Sequence, residues 1–327
     1  MSAGSTAALI EIRGLRVEMQ ARDSSAVVLD DVSLSVRPGE ILGVVGESGA
    51  GKSVTGAAII GLLEPPLRMT SGEIWFDGRR IDTLSPRVMR RLRGAGIGMV
   101  FQDPLTALNP VFTIGRQLIE TIREHTGTDR AAAVERAVEL LRQVGIPAAR
   151  ERLGSYPHEF SGGMRQRVVV ALALAGNPRL IIADEPTTAL DVSIQAQVIA
   201  LLTKIARELN AGVILITHDM GVIAEAADRV AVMYAGRMVE VGAVEEVLRR
   251  PRHPYSQGLV SSIPEIGARL ESLPQIAGAM PRVGALPDGC AFHPRCPKRL
   301  PVCAQTPPGQ RTLPNGVTLA CWAETPS

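Results

Sequence analysis

The sequence predicts an α/β fold built on a parallel sheet. Three short runs are apolar at nearly every position: "ILGVVG" at 41–46, "RLIIAD" at 179–184 and "GVILIT" at 212–217. Such runs are typical of strands that are covered on both faces, as in parallel sheets. Between the last two runs, "VSIQAQVIALLTKIAREL" carries apolar residues at helical spacing, including Leu201 and Ile205. Strand, helix and strand in this order predict a right-handed βαβ unit.

The composition is that of a folded, water-soluble chain of 327 residues, of which 46% are hydrophobic and 21% charged. A net charge of +2 and 3% aromatic residues argue against a protein that binds nucleic acid. The N-terminus lacks the pattern of a signal peptide, and the longest apolar run, "VVVALALAG" at 168–176, is about half the length that a bilayer crossing needs. We therefore expect a cytosolic chain whose thiols stay reduced.

The remaining segments differ from one another in pattern. Near the N-terminus, "ALIEIRGLRVEM" and "AVVLDDVSLSV" are β-rich and are separated by a polar turn. From about 105 to 178 we find helical patterns alone, such as "DRAAAVERAVELLRQVG", which Gly145 ends. After about residue 250, frequent prolines exclude long helices and central strands. The sequence thus predicts a helical insertion into the α/β core and an irregular C-terminal tail.

A glycine-rich loop follows the first buried run. "GVVGESGAGKS" fits G-x-x-x-x-G-K-[ST] and lies between a predicted strand and a predicted helix, which is the context that confirms this motif. Its backbone N–H groups and the helix N-terminus can surround phosphate oxygens, while the lysine contacts the β- and γ-phosphates and the serine contacts Mg²⁺. The loop predicts a site for a nucleoside triphosphate. Its candidate ATP-binding residues are Gly46, Glu47, Ser48, Gly49, Ala50, Gly51, Lys52 and Ser53.

Polar side chains at the ends of the other two runs are candidates for catalysis. "LIIADEP" ends with Asp184 and Glu185, which by themselves could form a solvated acidic turn. Beside a phosphate loop, we expect Asp184 to hold Mg²⁺ and Glu185 to act as the general base toward the attacking water. His218 follows the next run, at the sheet edge where ligands of such folds bind. We expect it to contact the γ-phosphate rather than to be a structural histidine.

The order of these motifs resembles that of ATP-binding cassette (ABC) proteins over roughly residues 8–250. The decisive stretch is "FSGGMRQRV", which is similar to the family signature and lies shortly before "IIADEP". The resemblance implies a P-loop NTPase with an ABC-type RecA-like core, an antiparallel β subdomain, a helical insertion and an irregular cysteine-containing extension. It predicts three regions: a nucleotide-binding core at 1–104 and 179–250, a helical signature subdomain at 105–178 and a C-terminal extension at 251–327.

The resemblance also implies roles for individual residues. Gln102 in "VFQDP" matches the glutamine that senses Mg²⁺, and Asp191 in "TTALD" matches the loop that crosses to the opposing subunit. Ser161, Gly162 and Gly163 would complete the ATP site of a partner chain, since the family works as a head-to-tail pair that encloses two ATP molecules. The implied Mg²⁺ ligands are Ser53, Gln102 and Asp184, and the implied catalytic residues are Glu185, His218 and Gln102.

Two features depart from the family pattern. The signature has Phe160 and Met164 where many cassettes have other residues. The position at which cassettes place an aromatic side chain on adenine is occupied here by Met19. Sulfur packs on ring edges but stacks poorly, so we expect weaker adenine binding.

The C-terminal tail narrows the resemblance to one subgroup of ABC proteins. "RHPYSQGLVSSIPE" and "GCAFHPRCP" resemble the C-terminal region of oligopeptide and dipeptide permease ATPase subunits. This implies a peripheral ATPase on the cytoplasmic face of the bacterial inner membrane. Its partners would be a related but distinct ATPase chain, two integral membrane permeases and, indirectly, a solute-binding protein. A homodimer, an importer of nickel or sugars, and a soluble ABC ATPase that acts on nucleic acid or ribosomes are the alternatives.

The cysteines are confined to this tail, at Cys290, Cys296, Cys303 and Cys321. The resemblance implies that they hold an iron–sulfur cluster, and four soft thiolates suit [4Fe–4S] or zinc. Their spacing matches no common ferredoxin or zinc-finger pattern. Zinc, with His293 as a candidate ligand, and thiols without metal are the alternatives. A metal here would supply folding energy to a tail too short to build much core.

Overall fold

The computed structural model describes residues 7–21, 24–187, 191–263 and 275–324. The strands are β1 (Ile10–Gln20), β2 (Ser25–Val36), β3 (Ile41–Val45), β4 (Leu67–Phe76), β5 (Arg79–Arg80), β6 (Ile97–Val100), β7 (Leu180–Asp184), β8 (Gly212–Thr217), β9 (Arg229–Tyr234), β10 (Arg237–Ala243), β11 (Arg311–Thr312) and β12 (Thr318–Leu319). The helices are α1 (Lys52–Ile59), α2 (Pro86–Ala95), α3 (Pro104–Ala107), α4 (Ile114–Thr126), α5 (Arg130–Gln143), α6 (Ala149–Arg152), α7 (Gly162–Leu174), α8 (Val192–Glu208), α9 (Met220–Ala226), α10 (Val244–Arg249) and α11 (Pro254–Ser261). Single 3₁₀ turns lie at Pro157–Glu159, His293–Arg295 and Pro301–Ala304.

The described residues divide into two compact units. The signature unit comprises the described residues of Met1–Ile10, Val36–Ile41 and Thr83–Ile216. The phosphate-loop unit comprises those of Glu11–Ser35, Leu42–Asp82 and Thr217–Ser327.

The signature unit combines parallel strands with a helical region. β7 pairs with β6 on one side and β8 on the other, and both pairings are parallel. Every residue of β7 is buried, which agrees with an apolar run that is covered on both faces. Residues 105–178 form helices and turns without strands, as the sequence predicts. Within this region α4, α5 and α7 pack on one another through buried aliphatic residues.

The phosphate-loop unit contains two sets of strands. One set has the order β2-β1-β4-β5, with β4 and β5 antiparallel. The other has the order β11-β12-β10-β9-β3, in which β3 and β9 are parallel and the remaining pairs are antiparallel. The two-residue strands β11 and β12 come from the proline-rich tail, so the described part of that tail adds two short antiparallel strands beside β10.

These elements confirm the predicted α/β class with parallel and antiparallel strands and a helical insertion. The helix predicted from "DRAAAVERAVELLRQVG" is α5, and Gly145 follows it with a φ of 73°. In the part of the chain that the structure describes, no helix combines the length and the apolar character needed to span a bilayer.

Candidate functional site

The glycine-rich loop begins where β3 ends and leads directly into α1. Gly51 adopts a φ of 102°, a conformation that other residues rarely take. A Cβ atom at this position would also lie 2.6 Å from the Leu29 side chain. The loop therefore needs glycine here for both its backbone conformation and its packing. Its form, a turn ending at a helix N-terminus, is one that surrounds phosphate oxygens.

Lys52 lies inside this loop. Its side chain is buried, and Nζ donates hydrogen bonds to the carbonyl oxygens of Gly46 at 2.8 Å and Glu47 at 3.1 Å. Burial of an ammonium group is costly unless polar groups compensate it, and the two carbonyls do so here. The loop thus holds a positive charge in its concavity. Ser53, the next residue, is exposed on the first turn of α1.

Glu47, the second residue of the loop, is held by groups from distant parts of the sequence. Its N–H donates to the Tyr255 hydroxyl at 2.8 Å. Both of its carboxylate oxygens accept from the Arg295 guanidinium, at 2.8 Å and 2.9 Å. Tyr255 and Arg295 were not predictable as partners of Glu47, because no local pattern in the sequence links residues that are more than 200 positions apart.

Two further predicted ligands lie in the phosphate-loop unit. Met19 is the penultimate residue of β1 and is half-buried. His218 is exposed and follows β8, immediately before Asp219, which caps α9 by accepting from the Gly221 N–H at 2.7 Å. Both positions leave the side chains accessible to a ligand.

The predicted carboxylates lie in the signature unit. Asp184 is the last residue of β7 and is buried. Glu185 follows it with a φ of 44°, a left-handed conformation that is uncommon outside glycine and that often occurs at functional sites. Its N–H donates to the Ile216 carbonyl at 2.9 Å, which ties this strained residue to β8.

Gln102 reaches Glu185, although 83 positions separate them. The Gln102 Nε2 atom donates to Glu185 Oε2 at 3.1 Å. The structure therefore brings together two of the three residues predicted to be catalytic. The third, His218, belongs to the phosphate-loop unit.

The signature residues form the start of α7. Ser161 caps this helix by accepting from the Met164 N–H at 3.3 Å, which leaves Gly162 and Gly163 in its first turn. A Cβ atom at Gly163 would lie 2.7 Å from Ile194 of α8, so glycine allows the two helices to approach. A helix N-terminus with small residues presents N–H groups and a positive dipole to an anion.

Asp191 lines the same surface pocket as the signature residues. It caps α8, and its carboxylate accepts from the Ile194 N–H at 2.9 Å and the Ser193 hydroxyl at 2.8 Å. These hydrogen bonds lower the pKa of Asp191, with the one from Ile194 the largest cause. Arg167, which was not among the predicted site residues, also lines the pocket and donates to Gln197 at 2.7 Å.

The four cysteines all lie in the phosphate-loop unit. Cys290 shares a backbone hydrogen bond with Cys303, N–H to carbonyl, at 2.8 Å. Burial raises the pKa of the Cys290 thiol to about 11 and raises the pKa values of Cys296 and Cys321. In the described ranges, no group of three or more histidine, cysteine, aspartate or glutamate residues is placed to hold a metal ion. The predicted cluster therefore stays a prediction.

Comparison with known proteins identifies the family. A family model described as "ABC transporter" matches residues 29–188, and one described as "Oligopeptide/dipeptide transporter, C-terminal region" matches residues 239–303. The chain is 46% identical to the oligopeptide transport ATP-binding protein OppD of Escherichia coli (strain K12), over 96% of this chain and 93% of that protein. The chain belongs to the ABC transporter family. It is also 45% identical to the dipeptide transport ATP-binding protein DppD of Bacillus subtilis (strain 168), over 97% of this chain and 95% of that protein.

Solved structures agree with this family membership. A dimeric structure of the ATP-binding cassette MJ0796, in a post-hydrolysis state with ADP and Pi, matches with a TM-score of 0.64 and 27% identity. The match covers 72% of this chain and 98% of that one. The chain is thus an ABC ATPase, a P-loop NTPase whose family couples ATP hydrolysis to transport.

Proposed function

We propose that this ABC ATPase is the ATP-hydrolysing subunit of an importer of dipeptides or oligopeptides. The match of residues 239–303 to the C-terminal region of oligopeptide/dipeptide transporters carries the proposal, because this region lies mostly outside the general cassette. The names of relatives that align over nearly the whole chain support the same cargo. Binding of ATP closes a pair of cassettes, and hydrolysis reopens it and switches the permeases between their two orientations.

In this proposal the residues that act on Mg²⁺-ATP are those that the family resemblance assigns. Lys52 and the loop amides hold the phosphate chain, and Ser53, Gln102 and Asp184 hold Mg²⁺. Glu185 is the base that orients the attacking water, which its hydrogen bond to Gln102 supports. The remaining roles follow the family resemblance: His218 contacts the γ-phosphate, Met19 lies on adenine, and Ser161, Gly162, Gly163 and Asp191 act on the ATP of the partner cassette.

We further propose that the chain works at the cytoplasmic face of the bacterial inner membrane, in a pair with a related but distinct ATPase. Two integral membrane permeases would dock on this pair, and a solute-binding protein would deliver the peptide. The predicted division into a core at 1–104 and 179–250, a helical subdomain at 105–178 and an extension at 251–327 belongs to this proposal. The pairing of two cassettes is supported by the pocket that the signature residues and Asp191 share, since both are expected to face the opposing cassette.

Reconstitution tests the proposed function. The ATPase would be incorporated into vesicles with permeases and a solute-binding protein from the same organism, and ATP hydrolysis would be measured with dipeptides, oligopeptides, nickel or sugars. We expect stimulation by peptides alone. Glu185→Gln should lower hydrolysis by about 100-fold or more while Mg²⁺-ATP still binds, because the charge that serves as the base is removed and the shape is kept. Stimulation by nickel or a sugar instead would refute the peptide assignment.

We also propose that the four cysteines hold a [4Fe–4S] cluster, with zinc as the alternative. Burial is the main cause of the raised pKa values of Cys290, Cys296 and Cys321, and the other thiols nearby raise these pKa values further, so the four soft ligands lie near one another. Backbone N–H groups of Phe292, Lys298 and Ala323 stabilise the thiolates of Cys290, Cys296 and Cys321, and such hydrogen bonds are typical of sulfur ligands. A bound cluster would stabilise this segment; no redox step is assigned to it.

Metal and sulfide analysis tests the cluster. The full-length protein would be purified without oxygen, and its iron, zinc and acid-labile sulfide would be measured together with its visible absorption. About four iron and four sulfide per chain are expected for this cluster type. Zinc without sulfide would identify the alternative, and intact protein without either metal would refute both.

A further inference from the structure

The phosphate loop carries a carboxylate that needs compensation. Glu47 is the second residue of the loop, and its side chain is 30% exposed. A negative charge at this position opposes the binding of a polyphosphate chain, since like charges in a partly buried site repel over several ångströms. The loop motif accepts many residue types at this position, so the motif itself does not explain how a glutamate is tolerated.

Arg295 provides this compensation in a rigid geometry. Its guanidinium binds both carboxylate oxygens of Glu47 in a two-pronged arrangement, which is the strongest form of an arginine–carboxylate pair. The Arg295 side chain is only 6% exposed. It also donates to the carbonyl oxygens of Ala277 at 2.8 Å and Ile276 at 3.2 Å. These bonds hold the guanidinium in place before any ligand arrives.

A cluster of buried aromatic side chains packs against Arg295 and Glu47. Tyr234, Tyr255 and Phe292 are almost fully buried, and their ring centroids lie 4.7 to 5.4 Å apart. Arg295 lies 5.8 Å from the Tyr234 ring and 5.9 Å from the Phe292 ring. The Tyr255 hydroxyl accepts the Glu47 N–H. Side chain and backbone of Glu47 are therefore held by one packed group.

The carbonyl of Glu47 is hydrogen-bonded to other residues of the phosphate loop. It accepts from Lys52 Nζ at 3.1 Å and from the Ala50 N–H at 3.2 Å. A displacement of Glu47 would thus move an acceptor of the lysine that contacts the phosphates. The N–H, the carbonyl and the carboxylate of this one residue link the loop to the rest of the phosphate-loop unit.

We infer that Arg295, assisted by Tyr255, is a positioning residue for the phosphate loop: it neutralises Glu47 and fixes the loop in the shape that receives the phosphates. Both residues lie within the region that matches the oligopeptide/dipeptide C-terminal model. That region therefore contributes directly to nucleotide binding. The inference rests on the proposed ATP site, because the loop is assumed to hold the phosphate chain of ATP.

Binding of tripolyphosphate tests the inference, since this ligand reports on the loop without the adenine contact. Affinities of the full-length protein for tripolyphosphate and for ATP would be measured by calorimetry, and folding would be checked by circular dichroism and thermal unfolding. Arg295→Met should weaken the binding of both ligands about tenfold, because it leaves the Glu47 carboxylate uncompensated in the loop that is proposed to hold the phosphates. Adding Glu47→Gln to this variant should recover part of the loss, since the repelling charge is then gone.

Two matched variants show whether a loss of affinity is specific to the Arg295 contact with Glu47. Arg249 forms a 2.9 Å ion pair with Glu245 in the same unit but is largely exposed, and Arg249→Met should leave both affinities unchanged. Arg295→Lys keeps the charge without the two-pronged contact, and its affinities should fall between those of the original protein and Arg295→Met. It also serves if Arg295→Met does not fold.

Two results would overturn the inference. One is a folded Arg295→Met or Arg295→Lys protein that binds tripolyphosphate as tightly as the original protein. The other is a double variant that recovers no affinity, which would exclude the neutralisation of Glu47. Failure of the unaltered protein to bind ATP or tripolyphosphate would instead refute the proposed nucleotide site itself.

Discussion

Acidification should destabilise the protein through His253, which is buried and neutral in the fold. Its Nδ1 atom accepts from the Tyr255 N–H at 3.0 Å, so the ring caps α11, and its centroid lies 5.7 Å from that of Phe292. Burial lowers the pKa of His253 from 6.5 to about 3. A proton on this ring would be buried, and Nδ1 could no longer accept the capping hydrogen bond.

The size of the effect follows from the two pKa values. Below pH 6.5 the unfolded chain binds a proton at His253, whereas the folded chain stays neutral down to about pH 3. The unfolded state therefore gains about 1.4 kcal/mol per pH unit within this window. Lowering the pH from about 7.5 to about 5.5 crosses one full unit of the window and should reduce the free energy of unfolding by about 1.4 kcal/mol.

The change in the free energy of unfolding can be measured by urea denaturation, followed by tryptophan fluorescence at both pH values. The original protein and His253→Asn would be compared. Asparagine can still cap the helix but does not titrate, so the stability difference between the proteins should shrink by about 1.4 kcal/mol at the lower pH. Glu240, which accepts the His253 N–H at 3.0 Å, has a pKa raised by burial and acts in the opposite direction. It is present in both proteins, so its effect cancels. A stability difference that is the same at both pH values would refute the reasoning.

Three substitutions test other parts of the site. Gly51→Ala should weaken ATP binding at least about tenfold in calorimetry, because the backbone conformation is unfavourable and Cβ would meet Leu29; unaltered affinity would contradict this. Met19→Tyr should tighten ATP binding several-fold through stacking on adenine and leave tripolyphosphate binding unchanged, and equal changes for both ligands would exclude an adenine contact. Gly163→Ala should lower the free energy of unfolding by about 1 to 3 kcal/mol in urea denaturation, because the added Cβ would meet Ile194. Adding Ile194→Ala should restore part of this stability. An unchanged stability of Gly163→Ala would show that α7 and α8 can move apart at this contact.

Much of the fold was predictable because its signals are local. The apolar runs of β3, β7 and β8 are short and uninterrupted, and all of their residues are buried. The helix α5 and the glycine after it follow from spacing and a terminal signal within 16 residues. The phosphate loop was predictable for the same reason, since its chemistry is carried by one continuous segment between a strand and a helix.

Contacts between distant segments were not predictable from the sequence. Gln102 was assigned through resemblance, but its hydrogen bond to Glu185 depends on the parallel pairing of β6 and β7, which places the residues after both strands at one edge. The pairing of Arg295 with Glu47 joins the C-terminal region to the phosphate loop across 248 positions. An arginine before a cysteine in an irregular tail carries no periodicity that would reveal such a partner.

The Glu47–Arg295 pair gives a physical reason why the cassette and the C-terminal region belong together in this chain. A glutamate in the phosphate loop opposes polyphosphate binding unless a cation is held against it, and that cation comes from beyond residue 250. The same region supplies the buried Tyr255 that accepts the Glu47 N–H. Removal of this region would therefore take away the cation that is paired with Glu47 and the hydroxyl that accepts its N–H, and would not merely shorten the protein. In the proposed ATP site, the C-terminal region thus supports the loop that receives the phosphates.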